Sequence, residues 1–192
     1  SPDRIQTGTY IIAGAITRGD VTVKDCQPED NEILLDYLKE AGFDIQTGAD
    51  FIRIKPKCKK IKPVNIKTAP FPGFATDLQA PFMALMCLCS GQSEISEDIF
   101  ENRFMHAPEL VRMGANIMIE RNTAKITGVK NFSPAVVMSS DLRGGAALVL
   151  AGLCAKGVSE VERIYHIDRG YERLEENLTQ LGAKIKRVNP VK

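Results

Sequence analysis

LVRMGANIM, residues 110–118, ends a helical pattern on Gly114 and opens an Ile-centred strand, and the same figure stands twice more in the chain. LKEAGFDIQ turns at Gly42 and LTQLGAKIK at Gly182, so the figure recurs at a step of about 70 residues. A glycine just past the last apolar helical position is an ordinary way to end a helix and release the chain into a strand. Upstream of each lies a second apolar segment that closes on another glycine before a short alternating strand: ITRGDVTV at Gly19, CSGQSEIS at Gly91 and AKGVSEVE at Gly157. The chain therefore reads as three copies of one unit, over residues 1–56, 63–129 and 134–189, within a single domain spanning 1–192.

Each unit reads as strand, apolar helix, strand, amphipathic helix, then two strands, a βαβαββ-type repeat. VNIK at Val64 and AVVM at Ala135 supply the leading strands of the second and third units; the first unit lacks one, and the third stops after KIKRV without a partner strand. In LQAPFMALMCLC and AALVLAGLCA apolar residues surround the helix, which demands burial on nearly every side. The other helices carry one stripe, as with Tyr171, Leu174, Leu178 and Leu181. Strands such as VTVK, SEIS and NIMIE alternate, the pattern of a sheet wet on one face. The expectation is an inside-out, barrel-like α/β domain, with helices inside and three sheets outside.

Composition narrows the function. The 192 residues are 44% hydrophobic and 26% charged, enough for one well-buried core, and no apolar run approaches the roughly 20 residues of a membrane span. The net charge is +1 and no basic run exceeds KCKK at residues 57–60, so nucleic-acid binding is disfavoured while a single bound phosphate is not. A cytoplasmic setting is the default expectation, and a start at Ser-Pro without methionine suits a processed protein or an excised fragment. The five cysteines form no CxxC pair and are odd in number, which predicts reduced packing residues. Cys87 and Cys89, two apart in an apparent helix, would face different ways, a poor geometry for a shared metal. His106 and His166 stand apart from other ligand-type residues and read as structural.

Departures from the symmetry are where function is to be sought. The apolar helices open with QTGTY, ATDLQ and SSDLR, and a Ser/Thr N-cap is expected in all three, Thr76 in the second; an acid follows only at Asp77 and Asp141. If threonine suffices as a cap in the first unit, capping does not account for Asp77. The connectors IFENRFMH and IYHIDRGYER place Arg103, Arg169 and Arg173 beside aromatics where the first unit has only DCQPED. Arg169, between Asp168 and Gly170 at an expected helix start, is placed to hold an anion together with backbone N–H groups.

The motifs TAPFPGFATDLQ, IFENRFMHAPELVRMGA, SSDLRGGAALVLAGL and IYHIDRGYERLEENLTQLGA resemble the UDP-N-acetylglucosamine enolpyruvyl transferases, the 1-carboxyvinyltransferases of bacterial peptidoglycan synthesis, over residues 2–187. The resemblance implies two inside-out α/β domains with the active site between them, of which this chain matches one; the second domain is the implied partner. It implies transfer of the enolpyruvyl group from phosphoenolpyruvate to the sugar 3-hydroxyl by addition and then elimination of phosphate, with no metal or redox cofactor. It further implies that Asp77 is the general base, that Ile99 binds the UDP-sugar through its backbone, that Arg169 pairs with the anionic groups of the enolpyruvate, and that Asp141 belongs to the catalytic centre. Phe100, Arg103 and Arg143 are implied as supporting cleft residues. The family's loop cysteine, its N-terminal lysine-asparagine pair and its further phosphate-binding arginines have no match here. The rival readings are the 3-phosphoshikimate enolpyruvyl transferases and a non-catalytic ligand- or RNA-binding module on the same repeat.

Overall fold

The computed structural model describes residues 2–189. Three apolar helices, α1 (Arg4–Ile16), α3 (Gln79–Met86) and α5 (Leu142–Cys154), pack against one another at the centre, and every residue of α3 is buried. Their small residues allow this. A Cβ added at Gly14 of α1 would lie 3.0 Å from Ile54 and Val21, tighter than an ordinary side-chain contact, so glycine eases the close approach of helix and sheet.

Three sheets lie outside the helices. The first holds β1 (Val21–Lys24), β2 (Phe43–Thr47) and β3 (Phe51–Pro56) in the order β1-β3-β2, all antiparallel. The second holds β4 (Ile66–Lys67), β5 (Gln92–Ser96), β6 (Asn116–Glu120) and β7 (Thr123–Thr127) in the order β4-β5-β7-β6, with β4 parallel to β5 across α3. The third, among the described residues, pairs β8 (Val136–Met138) and β9 (Glu160–Glu162), again parallel, with α5 between them in sequence. Side chains such as Ser93, Ile95, Ala124 and Ile126 turn inward while their neighbours face out. The leading strand absent from the first unit is absent from its sheet, and residues 183–189 form no strand.

The outer helices α2 (Glu32–Glu40), α4 (Ala107–Arg112) and α7 (Leu174–Gln180) end at Gly42, Gly114 and Gly182, with φ of 101°, 93° and 100°. In the last two the turn closes by paired bonds, Gly114 N–H to Val111 O with Ala115 N–H to Leu110 O, and Gly182 N–H to Thr179 O with Ala183 N–H to Leu178 O. A short helix, α6 (Tyr165–Asp168), precedes α7. No helix among the described residues is long and apolar enough to cross a membrane.

Three expectations about helix ends need correction. Thr7 of QTGTY lies inside α1; the cap is Asp3, whose Oδ1 accepts from the N–H groups of Ile5 (2.8 Å) and Gln6 (3.3 Å). In SSDLR the cap is Asp141 itself, accepting from Gly144 N–H at 2.8 Å, and neither serine caps. Thr76 caps nothing: it sits in a single 3-10 turn, Thr76–Leu78, and its hydroxyl is drawn instead to the buried carboxyl of Glu97. The apolar helix of the second unit stops at Met86, so Cys87 is its C-cap and Cys89 lies in the turn that leads to β5, where Ser90 N–H bonds to Ile61 O.

Candidate functional site

The beginnings of α1, α3 and α5 differ in what they offer. Two are closed by their capping acids, whereas the 3-10 turn ahead of α3 leaves Asp77 without a cap bond. A nine-residue loop, 68–76, delivers that turn. Its two ends are bridged by Ala69 N–H to Phe74 O, and Phe74 is buried edge-on against Tyr37 and Phe82, at centroid distances of 5.9 and 5.4 Å. Leu78, buried one residue beyond Asp77, fixes the other side. Asp77 is thus carried by an anchored loop while its own carboxylate, 37% exposed, remains accessible.

Two guanidinium groups face that carboxylate. Arg143, in the first turn of α5, brings Nε to 3.6 Å from Asp77 Oδ1, and Arg103, in the connector ahead of α4, brings Nη1 to 3.9 Å from the same oxygen. Both contacts are ion pairs longer than a hydrogen bond, and among the described residues no donor reaches the Asp77 oxygens at hydrogen-bond distance. The two guanidinium groups keep the carboxylate in a positive field, and its lone pairs are left free for a proton from an incoming hydroxyl. Each arginine rests on an aromatic ring: Arg103 lies 4.5 Å over Phe100 and Arg143 lies 5.2 Å over the buried Tyr171. Arg143 Nη1 is buried with no hydrogen-bond partner among the described residues.

Asp77, Arg103 and Arg143 thus converge from the second and third units. Ile99 and Phe100 lie on the same connector as Arg103 and line a groove of about 960 Å³ with Glu97, Met105 and Ile119. Phe100 is half exposed, Ile99 half buried. Asp141 faces the other way in role: Oδ1 caps α5 and Oδ2 accepts from Ser140 Oγ at 3.3 Å, so its carboxylate is spent on orienting the helix that carries Arg143. His106 is buried beside it, its Nε2 unpartnered; burial pushes its pKa down to about 4, against the opposing pull of Asp141. His166 only stacks on Tyr165 at 4.3 Å.

Arg169 stands differently from the expectation. It is the C-cap of α6 and its N–H points back along that helix, so no helix start surrounds it with free N–H groups. Asp168 is taken up by Arg187, at 2.7 and 3.0 Å, which holds its carboxyl below the usual range. Arg169 itself is exposed and pairs with no acid among the described residues. Gly170 packs directly on Leu142, the first residue of α5, which keeps Arg169 near the helix end that bears Arg143.

Two contributors escaped the sequence reading. Tyr171, read as one residue of an apolar stripe, bonds through its hydroxyl to Thr9 of α1 (2.9 Å) while its ring supports Arg143. Gln79, read as the end of ATDLQ, is buried and donates from Nε2 to the Arg103 carbonyl at 3.2 Å, tying the start of α3 to the arginine connector. A stripe position and a motif's last letter gave no sign of either bond.

Among the described residues no group of three or more His, Cys, Asp or Glu could hold a metal ion. The cysteines are unpaired; burial raises the Cys26, Cys87 and Cys89 thiols and lifts Cys154 to about 12, leaving no activated thiolate among these four.

The chain is 62% identical over 191 residues to a UDP-N-acetylglucosamine 1-carboxyvinyltransferase of Elusimicrobium minutum, covering 99% of this chain and 45% of that protein. It is 56% identical over 187 residues to the protein of the same name from Geotalea uraniireducens, again covering 45% of it. The chain therefore spans about half the length of the curated relatives it matches. The crystal structure of the enolpyruvyl transferase NikO from Streptomyces tendae superposes with a TM-score of 0.85 at 28% identity, over 96% of this chain and 44% of that one. Residues 1–178 match the family model of EPSP synthase (3-phosphoshikimate 1-carboxyvinyltransferase), and the chain belongs to that family.

Proposed function

We propose that this chain is one domain of an enzyme that transfers the enolpyruvyl group of phosphoenolpyruvate to the 3-hydroxyl of UDP-N-acetylglucosamine, an early step in building bacterial peptidoglycan in the cytoplasm. The observation that carries the reading is Asp77, uncapped and unbonded, facing Arg103 and Arg143 at the end of a buried helix. The names of the relatives support the choice of acceptor.

In this reading the sugar oxygen adds at C2 of phosphoenolpyruvate while its proton passes to Asp77. C3 takes a proton from a donor on the partner domain. The C2–O bond to phosphate then breaks with its electron pair, a proton leaves C3, and the enolpyruvyl ether remains. Arg143, beside Asp77, and Arg169, exposed at the end of α6, receive the negative oxygens of phosphoenolpyruvate. Asp141 acts through its cap on α5 and thereby on Arg143. Ile99 and Phe100 border the groove in which the nucleotide-sugar would lie.

The test is phosphate release from phosphoenolpyruvate and UDP-N-acetylglucosamine by the complete protein. Asp77→Asn should lower kcat by roughly 100-fold or more, the usual contribution of a positioned general base. It should leave stability nearly unchanged, because Asp77 makes no cap bond to lose. A variant that keeps turnover within a few-fold would remove Asp77 from this role. The family model also names 3-phosphoshikimate as an acceptor, so the same assay with shikimate 3-phosphate discriminates the second branch: turnover there and none with the UDP-sugar would reassign the substrate.

A further inference from the structure

Glu97 occupies a position that the internal repeat marks as unusual. It stands six residues after Gly91, where the other units place Asp25 after Gly19 and Arg163 after Gly157. Asp25 and Arg163 are exposed and adopt left-handed backbone, with φ of 55° and 57°, as turn residues at the end of a strand. Glu97 is only 4% exposed, and its backbone departs from theirs. A buried carboxyl needs partners, and it has them at both ends of one loop. Thr68 Oγ1 donates to Oε2 and Thr76 Oγ1 donates to Oε1, so the first and last residues of the loop 68–76 hang on a single side chain.

We infer that Glu97 is a positioning residue for Asp77: it clamps the loop 68–76 at both ends and so fixes the turn that aims the Asp77 carboxylate. This rests on the reading of Asp77 as the base. The residue after Thr76 is Asp77, so a bond at Thr76 sets the direction of the next backbone unit. The clamp also reaches the second arm of the site. Glu97 N–H donates to Asn122 O at 2.8 Å, Asp98 N–H to Thr68 Oγ1 at 3.0 Å and Asn122 Nδ2 to Asp98 Oδ1 at 2.6 Å, and two residues later the same backbone becomes Ile99 and the groove wall. One buried side chain therefore sets the loop carrying the base relative to the connector carrying Ile99, Phe100 and Arg103. Such a network holds its geometry because an unpaired member would be left buried.

The experiment uses the complete protein, with kcat and KM for both substrates and the unfolding temperature measured for each variant. Glu97→Ala should lower kcat by about 10- to 100-fold, the scale set by a misplacement of about 1 Å, with KM for phosphoenolpyruvate within threefold of the parent. Thr76→Val should show a loss of the same size. Glu97→Gln keeps an oxygen for one threonine and an N–H₂ for the other, and should return kcat to within about fivefold of the parent. In an Asp77→Asn background Glu97→Ala should cost no more than about twofold further, because the group it aims is already gone. A loss that adds in full to that of Asp77→Asn, or a Glu97→Ala kcat within threefold of the parent, would overturn the inference while leaving the function standing. If Glu97→Ala does not fold, Glu97→Gln and Thr76→Val decide by the same criteria. A parent that releases no phosphate from the two substrates sinks the functional reading, and the inference with it.

Discussion

Acids with similar surroundings in sequence take separate tasks through what their oxygens touch. Asp3 and Asp141 spend theirs on helix N–H groups, Glu97 on two threonine hydroxyls, and Asp77 on no hydrogen bond among the described residues. Chemistry needs the last kind, since a carboxylate already saturated with donors is a poor proton acceptor. His106 shows the opposite use of burial. With its folded pKa lowered to about 4 and an unfolded value near 6.5, the unfolded state binds the proton first as pH falls. Stability is thus lost between about pH 6.5 and 4, is fully present above that window, and amounts to about 3 kcal/mol for a shift of this size. Urea unfolding of the parent and of His106→Gln at pH 7 and pH 5 checks this. The parent should lose more stability between the two than the variant does, and equal losses would show that His106 is not buried neutral.

Helix starts differ in whether their acid is spent on capping. Removing a capping acid costs about 1 kcal/mol, so Asp3→Ala and Asp141→Ala should each lower the unfolding free energy by about that amount, whereas Asp77→Ala should not. Asn at position 3 or 141 should restore most of the loss. Denaturant midpoints of the variants measure it, and a stability loss at Asp77 equal to those at the caps would contradict the uncapped turn. The three-unit repeat, the buried apolar helices and the outer sheets were legible in the sequence because period, glycine spacing and all-round hydrophobicity are local signals. The asymmetry among the repeats singles out Asp77 on a premise that does not hold: Asp3, outside QTGTY, caps the first helix, and no threonine does so alone. Glu97 was not legible. Its neighbours alternate like any wet strand, and its partners Thr68 and Thr76 stand more than 20 residues away in sequence. The start of α7 rather than α6 was expected near Arg169; a short extra helical turn over residues 165–168 moves it, and periodicity over four residues has no power to announce such a turn.

Asp77, Arg103 and Arg143 come together, and Arg103 and Phe100 line the neighbouring groove; in the reading proposed above a second domain closes over them. The relatives are about twice as long, and the third sheet has two strands where the second has four. By the repeat, β9 has an edge where β5 carries β7, and exposed Val136 and Met138 lie in the same sheet. Folding should not depend on that edge. The core formed by α1, α3 and α5 closes within this chain, and about 190 residues bury enough surface for a stable domain. In that reading turnover depends on closure, because the proton for C3 and the exclusion of water would come from the other side of the cleft. The chain 1–192 expressed alone should therefore unfold cooperatively yet release no phosphate from phosphoenolpyruvate and UDP-N-acetylglucosamine, and adding the remaining domain in trans should restore measurable release. Phosphate release by the chain alone, lost in Asp77→Asn, would show that one domain holds the whole active site.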